Sequence, residues 1–256
     1  MERLLPLKNA VNLRELGEYP AAGGVIAPHK LLRSGSLSQL TVKEAEWLQD
    51  YGLKTVIDLR TDNEVAGSTD VVAPGVNWQQ LSVYPFADVS ANPAFNAHLA
   101  AMTDRRIDPM AEAYLRMLTD SHAIKVFQQV FALLLANDQP GESVLFHCAA
   151  GKDRTGMAAM MIEGALGVPE ATIRQDYLLT NTVFFAASKV VAAALKPGAS
   201  ALVDKLNAHA AEAQCYVAVR DFITSEYGDW PQYVQAVLQL SASDLKQLRN
   251  LYVKRQ

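Results

Sequence analysis

Apolar positions along this chain follow two rhythms. Leu53 to Leu59 and Ser143 to Phe146 are short, nearly continuous apolar runs bounded by turn residues. Both are too short for helices, and they predict strands buried on both faces. Val76 to Tyr84 predicts a third strand, ended by Pro85, and residues 23–34 predict a strand pair turning at Pro28-His29. Helical spacing lies between these runs. Thr41 to Tyr51 opens on a Thr41–Glu44 capping box and stops at Gly52. Residues 109–119 and 122–136 also have helical spacing, and Ile124, Phe127, Val130, Phe131, Leu134 and Leu135 give the second a wide apolar face. A further helix is expected over 155–166. This alternation predicts an α/β fold with a mostly parallel central sheet flanked by helices.

Beyond Pro169 the pattern turns almost wholly helical. Candidates cover 170–180, 182–195, 199–213 and 215–226, broken at Asn181, Pro197-Gly198 and Gln214. Val183, Phe184, Phe185, Val190, Val191 and Leu195 are too apolar for a solvated helix. They predict either a layer covering the sheet or a helical lid, an insertion around 176–226. Asp229 reads as an N-cap with Pro231 in the first turn of a closing helix. Without repeats or long linkers, residues 1–256 read as a single domain.

Composition narrows the class. A hydrophobic content of 50% and a charged content of 20% describe an ordinary globular chain. The net charge of −4 argues against nucleic acid or an anionic membrane as a partner bound through overall charge. No apolar run reaches the ~20 residues of a membrane span, and Met1 to Pro6 opens no secretory pattern, so integral membrane association is not expected. The only cysteines are Cys148 and Cys215, which excludes a disulfide framework. His29, His98, His122 and His209 lack ligand spacing, so neither a metal nor another cofactor is expected. A reducing cytoplasm is the expected location, and Cys215 reads as a small core residue.

One stretch carries chemistry: His147-Cys148-Ala149-Ala150-Gly151-Lys152-Asp153-Arg154-Thr155-Gly156. A thiol between a strand end and a helix start faces several backbone N–H groups, an arrangement that binds anions. The field that would hold a phosphate dianion also favours thiolate over thiol. Cys148 is the candidate nucleophile, attacking phosphorus in line. Arg154 offers a planar fork to two phosphate oxygens, and Gly151 supplies a backbone freedom that a Cβ would obstruct. Thr155 is placed to donate to the sulfur as it leaves, and His147 to orient the loop through its ring nitrogens. The candidate phosphate cradle is Ala149, Ala150, Gly151, Lys152, Asp153 and Arg154. Asp153 stands where a nucleotide-binding phosphate loop needs Ser or Thr, which excludes that class.

At these residues the chain resembles the protein tyrosine phosphatase superfamily, and most of all the bacterial atypical branch whose loop reads H-C-x-x-G-K-D-R-T-G. Asn12-Leu13-Arg14-Glu15-Leu16-Gly17 is similar to that branch's N-F-R-D-L-G-like opening, with Glu15 in place of the usual Asp. Leu32-Arg33-Ser34-Gly35 with Leu40-Thr41, Val56-Ile57-Asp58-Leu59-Arg60 with Glu64, Tyr177-Leu178-Leu179-Thr180-Asn181, and the Tyr227–Leu251 region continue the likeness in order. The resemblance implies a phosphatase-like fold with a lid. It also implies a cysteine-dependent phosphomonoesterase acting on phosphotyrosine, with phosphoserine, phosphothreonine and phosphoinositides as further substrates. The expected partner is therefore a phosphorylated protein or a phosphoinositide.

Two readings stay open for the general acid. Asp153 lies inside the loop, where the resembling branch also has Asp, and geometry ranks before pKa. Asp88, after the strand ending at Tyr84, sits where an upstream acid loop would be. Lys152 reads either as a second-phosphate contact or as a solvated charge supporting the thiolate. Arg14 and Arg33 read as substrate contacts or as ion-pair partners of Glu15 or Asp58, and Asp58 as a partner of Arg60. The alternatives to a phosphatase are a rhodanese-like sulfurtransferase, disfavoured by His147 and Thr155-Gly156, and a silent phosphate-binding module, disfavoured by the intact Cys148, Arg154 and Thr155.

Overall fold

Strand β7 (Ser143–His147) runs through the middle of a five-stranded sheet in the computed structural model, which describes residues 3–87, 109–186 and 210–255. It lies between β4 (Leu31–Ser34) and β5 (Leu53–Asp58), parallel to both. Outside β5 comes β6 (Asn77–Gln80), also parallel, and outside β4 comes the two-residue β1 (Arg14–Glu15), antiparallel. Side chains alternate between two cores, as a period of two requires. Val144 and Phe146 join Leu31 and Ile57 in the larger core, while Leu145 joins Leu32 and Val56 in the smaller one.

Helix α1 (Val42–Tyr51) seals the smaller core through Leu48, with both bonds of the Thr41–Glu44 capping box formed and Gly52 left-handed at its end. The short α2 (Asp62–Gly67) repeats that cap with Thr61 and Glu64. The larger core lies beneath α3 (Pro109–Thr119), α4 (Ser121–Ala136) and α5 (Asp153–Leu166). Helices α6 (Glu170–Ala186), α7 (Ala213–Tyr227), α8 (Trp230–Ala236) and α9 (Ala242–Tyr252) pack outside them. All fourteen residues of α5 are buried. Gly164 permits this, because a Cβ there would lie 2.2 Å from the Trp230 ring. Asp229 caps α8, with Pro231 in its first turn.

The structure corrects three sequence expectations. Residues 23–34 do not form a hairpin at Pro28-His29. Strand β3 (Gly24–Ile26) belongs instead to a separate antiparallel sheet, between β2 (Pro20–Ala21) and β8 (Val253–Lys254). The reason is burial: β4 is covered along its whole length and belongs inside the main sheet between β1 and β7, whereas the half-exposed β3 pairs with the short β2 and β8. The strand expected over 76–84 shortens to Asn77–Gln80, although Leu81 and Val83 still donate to Asp58 and Leu59 carbonyls. Finally, Asn181 does not break the helix. Its amide carries paired bonds to the Ala211 backbone, at 2.8 and 2.7 Å, so α6 continues through it. Residues 187–209, with Val190, Val191 and Leu195, lie outside the described residues, as does Asp88.

Candidate active site

Four consecutive carbonyls after β7 are occupied, the last three by partners from elsewhere in the chain. The Cys148 oxygen meets His147 Nδ1 at 3.2 Å, and the Ala149 oxygen accepts from the Ser36 amide at 2.9 Å. The Ala150 oxygen accepts from Asn12 at 3.4 Å, and the Gly151 oxygen from Asn12 at 2.8 Å and Arg33 at 3.0 Å. A trans peptide that turns its carbonyl one way turns the following N–H the other. The N–H groups of residues 149–152 are therefore turned away from those partners and left to meet an anion. Gly151 makes the turn possible: its φ is +69°, and a Cβ would stand 2.4 Å from the Ser34 carbonyl carbon. Lys152 is the N-cap of α5 and makes no side-chain cap bond, so the helix start adds N–H groups to these.

Cys148 is buried at the focus of this loop. Burial pushes its thiol pKa up, but the Arg154 charge and the Thr155 hydroxyl and amide outweigh it, and the net shift is downward. The Thr155 hydroxyl has no other partner among the described residues. Arg154 is held from behind by Glu64, which accepts from its two terminal nitrogens at 2.7 and 2.8 Å. Burial opposes ionisation of Glu64, yet Arg154 and the Thr61 cap hold its pKa at about 2. The Tyr84 ring lies 5.2 Å from the guanidinium carbon. Beside this pair opens a cleft of about 560 Å³ lined by Thr61, Asp62, Asn63, Ser82, Tyr84, Pro85 and His122.

Asp153 is buried, and burial pushes its carboxyl pKa up against the pull of Lys152, Tyr114 and Arg154. Lys152 is not a solvated charge, because its side chain is 1% exposed and its Nζ lies 3.5 Å from Asp153 Oδ2. Arg14 and Arg33 are fully buried and do not pair with Glu15 or Asp58. Both bind Asp176 of α6 instead: Arg14 Nε at 2.9 Å and Arg33 through a very close contact. Glu15 accepts from the Gly17 and His29 amides and the Tyr51 hydroxyl.

With this geometry in place, comparison with known proteins decides the family. The chain matches the tyrosine phosphatase family over residues 5–254. This chain belongs to that family. It is 32% identical over 66% of its length to a Cupriavidus necator protein provisionally named a tyrosine-protein phosphatase. It is 34% identical over 58% of its length to a tyrosine-protein phosphatase of Nostoc commune. A triple specificity protein phosphatase of Mycobacterium tuberculosis is 30% identical over 68% of the chain. The matches span 60%, 47% and 68% of those proteins' lengths. A Cys-to-Ser variant of TpbA from P. aeruginosa, solved in complex with pTyr, is 17% identical with a TM-score of 0.36, covering 73% of this chain and 91% of its own.

Within this tyrosine phosphatase family member, Asp58 and Arg60 pair as expected, but in a larger group. Arg60 bridges Asp58 at 2.7 Å and Asp70 at 2.9 Å, and Asp70 lies 3.0 Å from His147 Nε2. The ligand atoms of Asp58, Asp70 and His147 fall within 4.8 Å of one another, and the Arg60 guanidinium already supplies positive charge between the two carboxylates. Burial lowers the His147 pKa, while Asp70 and Asp58 raise it by more. Sequence reasoning missed Asp70, Tyr114 and Asp176. Asp176 left one trace: it follows Ile173 by three residues and precedes Thr180 by four, a charge on the buried face of a helix. Cys215 is buried on α7, as expected.

Proposed function

We propose that this chain is a cysteine-dependent phosphomonoester hydrolase acting foremost on phosphotyrosine, through a phosphocysteine intermediate. The observation that carries the reading is the convergence of the Glu64-anchored Arg154 fork and of the Thr155 hydroxyl and amide on one sulfur. In the first step the Cys148 thiolate attacks phosphorus, an S–P bond forms and the P–O bond to the substrate breaks. Arg154 and the loop amides neutralise the equatorial oxygens, and positioning and electrostatics supply most of the acceleration. Asp153 gives its proton to the departing oxygen; its raised pKa and its place in the loop favour it over Asp88. In the second step Asp153 takes a proton from water, the water oxygen attacks phosphorus, and the sulfur leaves as thiolate with a hydrogen bond from Thr155.

Family membership supports a phosphorylated substrate; the preference for protein over lipid rests on loop chemistry. Lys152 turns toward Asp153, which favours an electrostatic role over contact with a second phosphate. Phosphoserine, phosphothreonine and phosphoinositides remain within the proposal as slower substrates. We further infer one catalytic unit across 1–256 with a helical lid around 176–226, working in a reducing cytoplasm. No helix among the described residues is long and apolar enough to cross a membrane.

The test is a panel of phosphotyrosine, phosphoserine and phosphoinositide substrates with a chelator present. Phosphotyrosine turnover should persist in chelator, and Cys148→Ser should lose on the order of 10⁴-fold or more. Undiminished phosphate release by Cys148→Ser would overturn the proposal.

A further inference from the structure

The oxygen through which Asp153 acts is set by a chain of hydroxyls. Tyr114 of α3 donates to Asp153 Oδ1 at 2.6 Å, and the Tyr177 hydroxyl of α6 lies 2.9 Å from that of Tyr114. A hydroxyl has one proton to give. Tyr114 spends its proton on Asp153, so Tyr177 must donate to Tyr114. The chain therefore runs one way, from Tyr177 through Tyr114 to Asp153, and each link polarises the next. Both tyrosines are buried, and their rings meet edge to face at 6.0 Å.

We propose that Tyr114, oriented by Tyr177, is the positioning residue of the general acid, fixing the Asp153 carboxyl so that Oδ2 carries the transferable proton. Oδ1 is held as an acceptor at 2.6 Å, whereas the Lys152 ammonium stands off from Oδ2 at 3.5 Å, so a proton on Oδ2 meets the weaker competitor. Free rotation about the last carboxyl bond would otherwise present either oxygen to the substrate. The groups facing Asp153 are Lys152 and Arg154 on its own segment, Cys148 at the end of β7, Tyr84 after β6, Tyr114 on α3 and Tyr177 on α6. Of these, Tyr114 alone holds Oδ1 by a short hydrogen bond from another helix. The inference rests on Asp153 being the acid.

The experiment measures kcat/KM against pH for the wild type, Tyr114→Phe, Tyr177→Phe and Asp153→Asn. Phenyl phosphate serves as a substrate that needs leaving-group protonation, and 2,4-dinitrophenyl phosphate as one that does not. Tyr114→Phe should lose about tenfold on phenyl phosphate and stay within about twofold on the dinitrophenyl ester, a fraction of what an acid contributes. Its basic limb should move to higher pH, because the ionised carboxyl loses a donor while its burial remains. Tyr177→Phe should move the same way by less. Vanadate affinity and the unfolding midpoint, which report the loop and the fold, should stay near wild type. Equal losses on both esters, an unmoved basic limb or weakened vanadate binding in Tyr114→Phe would overturn the inference. Should Asp153→Asn keep the basic limb, the acid assignment itself fails; should it lose the limb while Tyr114→Phe behaves as wild type, only the tyrosine's role fails.

Discussion

Two buried charge clusters flank the phosphate loop, and they serve it differently. On the β5 side, Asp58 and Asp70 share Arg60 and face His147. Two carboxylates against one guanidinium leave a negative excess, which the imidazole offsets only when protonated. On the α6 side, Arg14 and Arg33 share Asp176, and Glu163 of α5 lies in the same field with both oxygens unpartnered. Burial, followed by the Asp176 charge, pushes the Glu163 pKa well up, toward the neutral form. This tilts the balance of the α6 cluster toward its two guanidinium groups, and Arg33 donates directly to the Gly151 carbonyl of the proposed phosphate loop. The β5 cluster reaches the loop through the His147 ring and, less directly, through Ser36, which accepts from Arg60 and donates its amide to the Ala149 carbonyl. One cluster shapes the backbone and adds to the attractive field; the other steadies a side chain and answers to pH.

The largest expected effect is on the α6 side. Asp176→Ala would strand two buried guanidinium groups, at a cost of about 3–5 kcal/mol, read from denaturant unfolding. The Asp176 pKa, held at about 2 by the two arginines against its burial, sets the sign with pH. Its stabilisation is present above the unfolded value near ~4 and vanishes as pH falls toward 2, so the variant and the wild type should converge there. Next comes Arg33→Met, which removes a charged donor from Gly151 and should weaken vanadate binding about tenfold by calorimetry. An unchanged affinity would break the claim that this cluster shapes the loop.

On the β5 side, Asp70→Asn should cost about 1 kcal/mol and change a slope. A raised histidine pKa stabilises the fold below ~6.5 and loses that contribution as pH rises through the folded value. The wild type should accordingly lose stability through His147 as pH rises above ~6.5, and Asp70→Asn should lose less. Last comes Glu163→Gln. With its pKa raised in the fold, Glu163 holds a proton that the unfolded chain releases above ~4.3, so the variant should match the wild type at pH 4 and gain stability over it as pH rises toward 8. A destabilised Glu163→Gln at pH 8 would mean that the carboxylate is ionised and that the balance of the α6 cluster does not tilt toward its guanidinium groups.

The sequence was most informative where partners sit close together along it. The capping boxes at Thr41 and Thr61, the Asp229 cap and the Cys148-to-Thr155 loop each place their partners within a few residues, so local chemistry names them. The central strands were legible because burial on both faces leaves continuous apolar runs. Asp176 and Arg33 are separated by 143 positions, and Tyr114 and Asp153 by 39. No local pattern announces such a pair; only the closed sheet and its helices bring them together. The two-residue strands β1, β2 and β8 carry too few positions for any periodicity, which is why the small sheet went unread and residues 23–34 looked like a hairpin.

Helix α5 carries a final consequence. It offers no face to water, its last turn receives bonds from the Ala22 amide and from Arg249, and its first residues belong to the proposed phosphate cradle. A rod clamped at both ends has little room to slide or rock. On the proposed function, the receptor for the phosphoryl group is a fixed anvil of constant span, and tolerance for differently shaped esters would come from the walls around it.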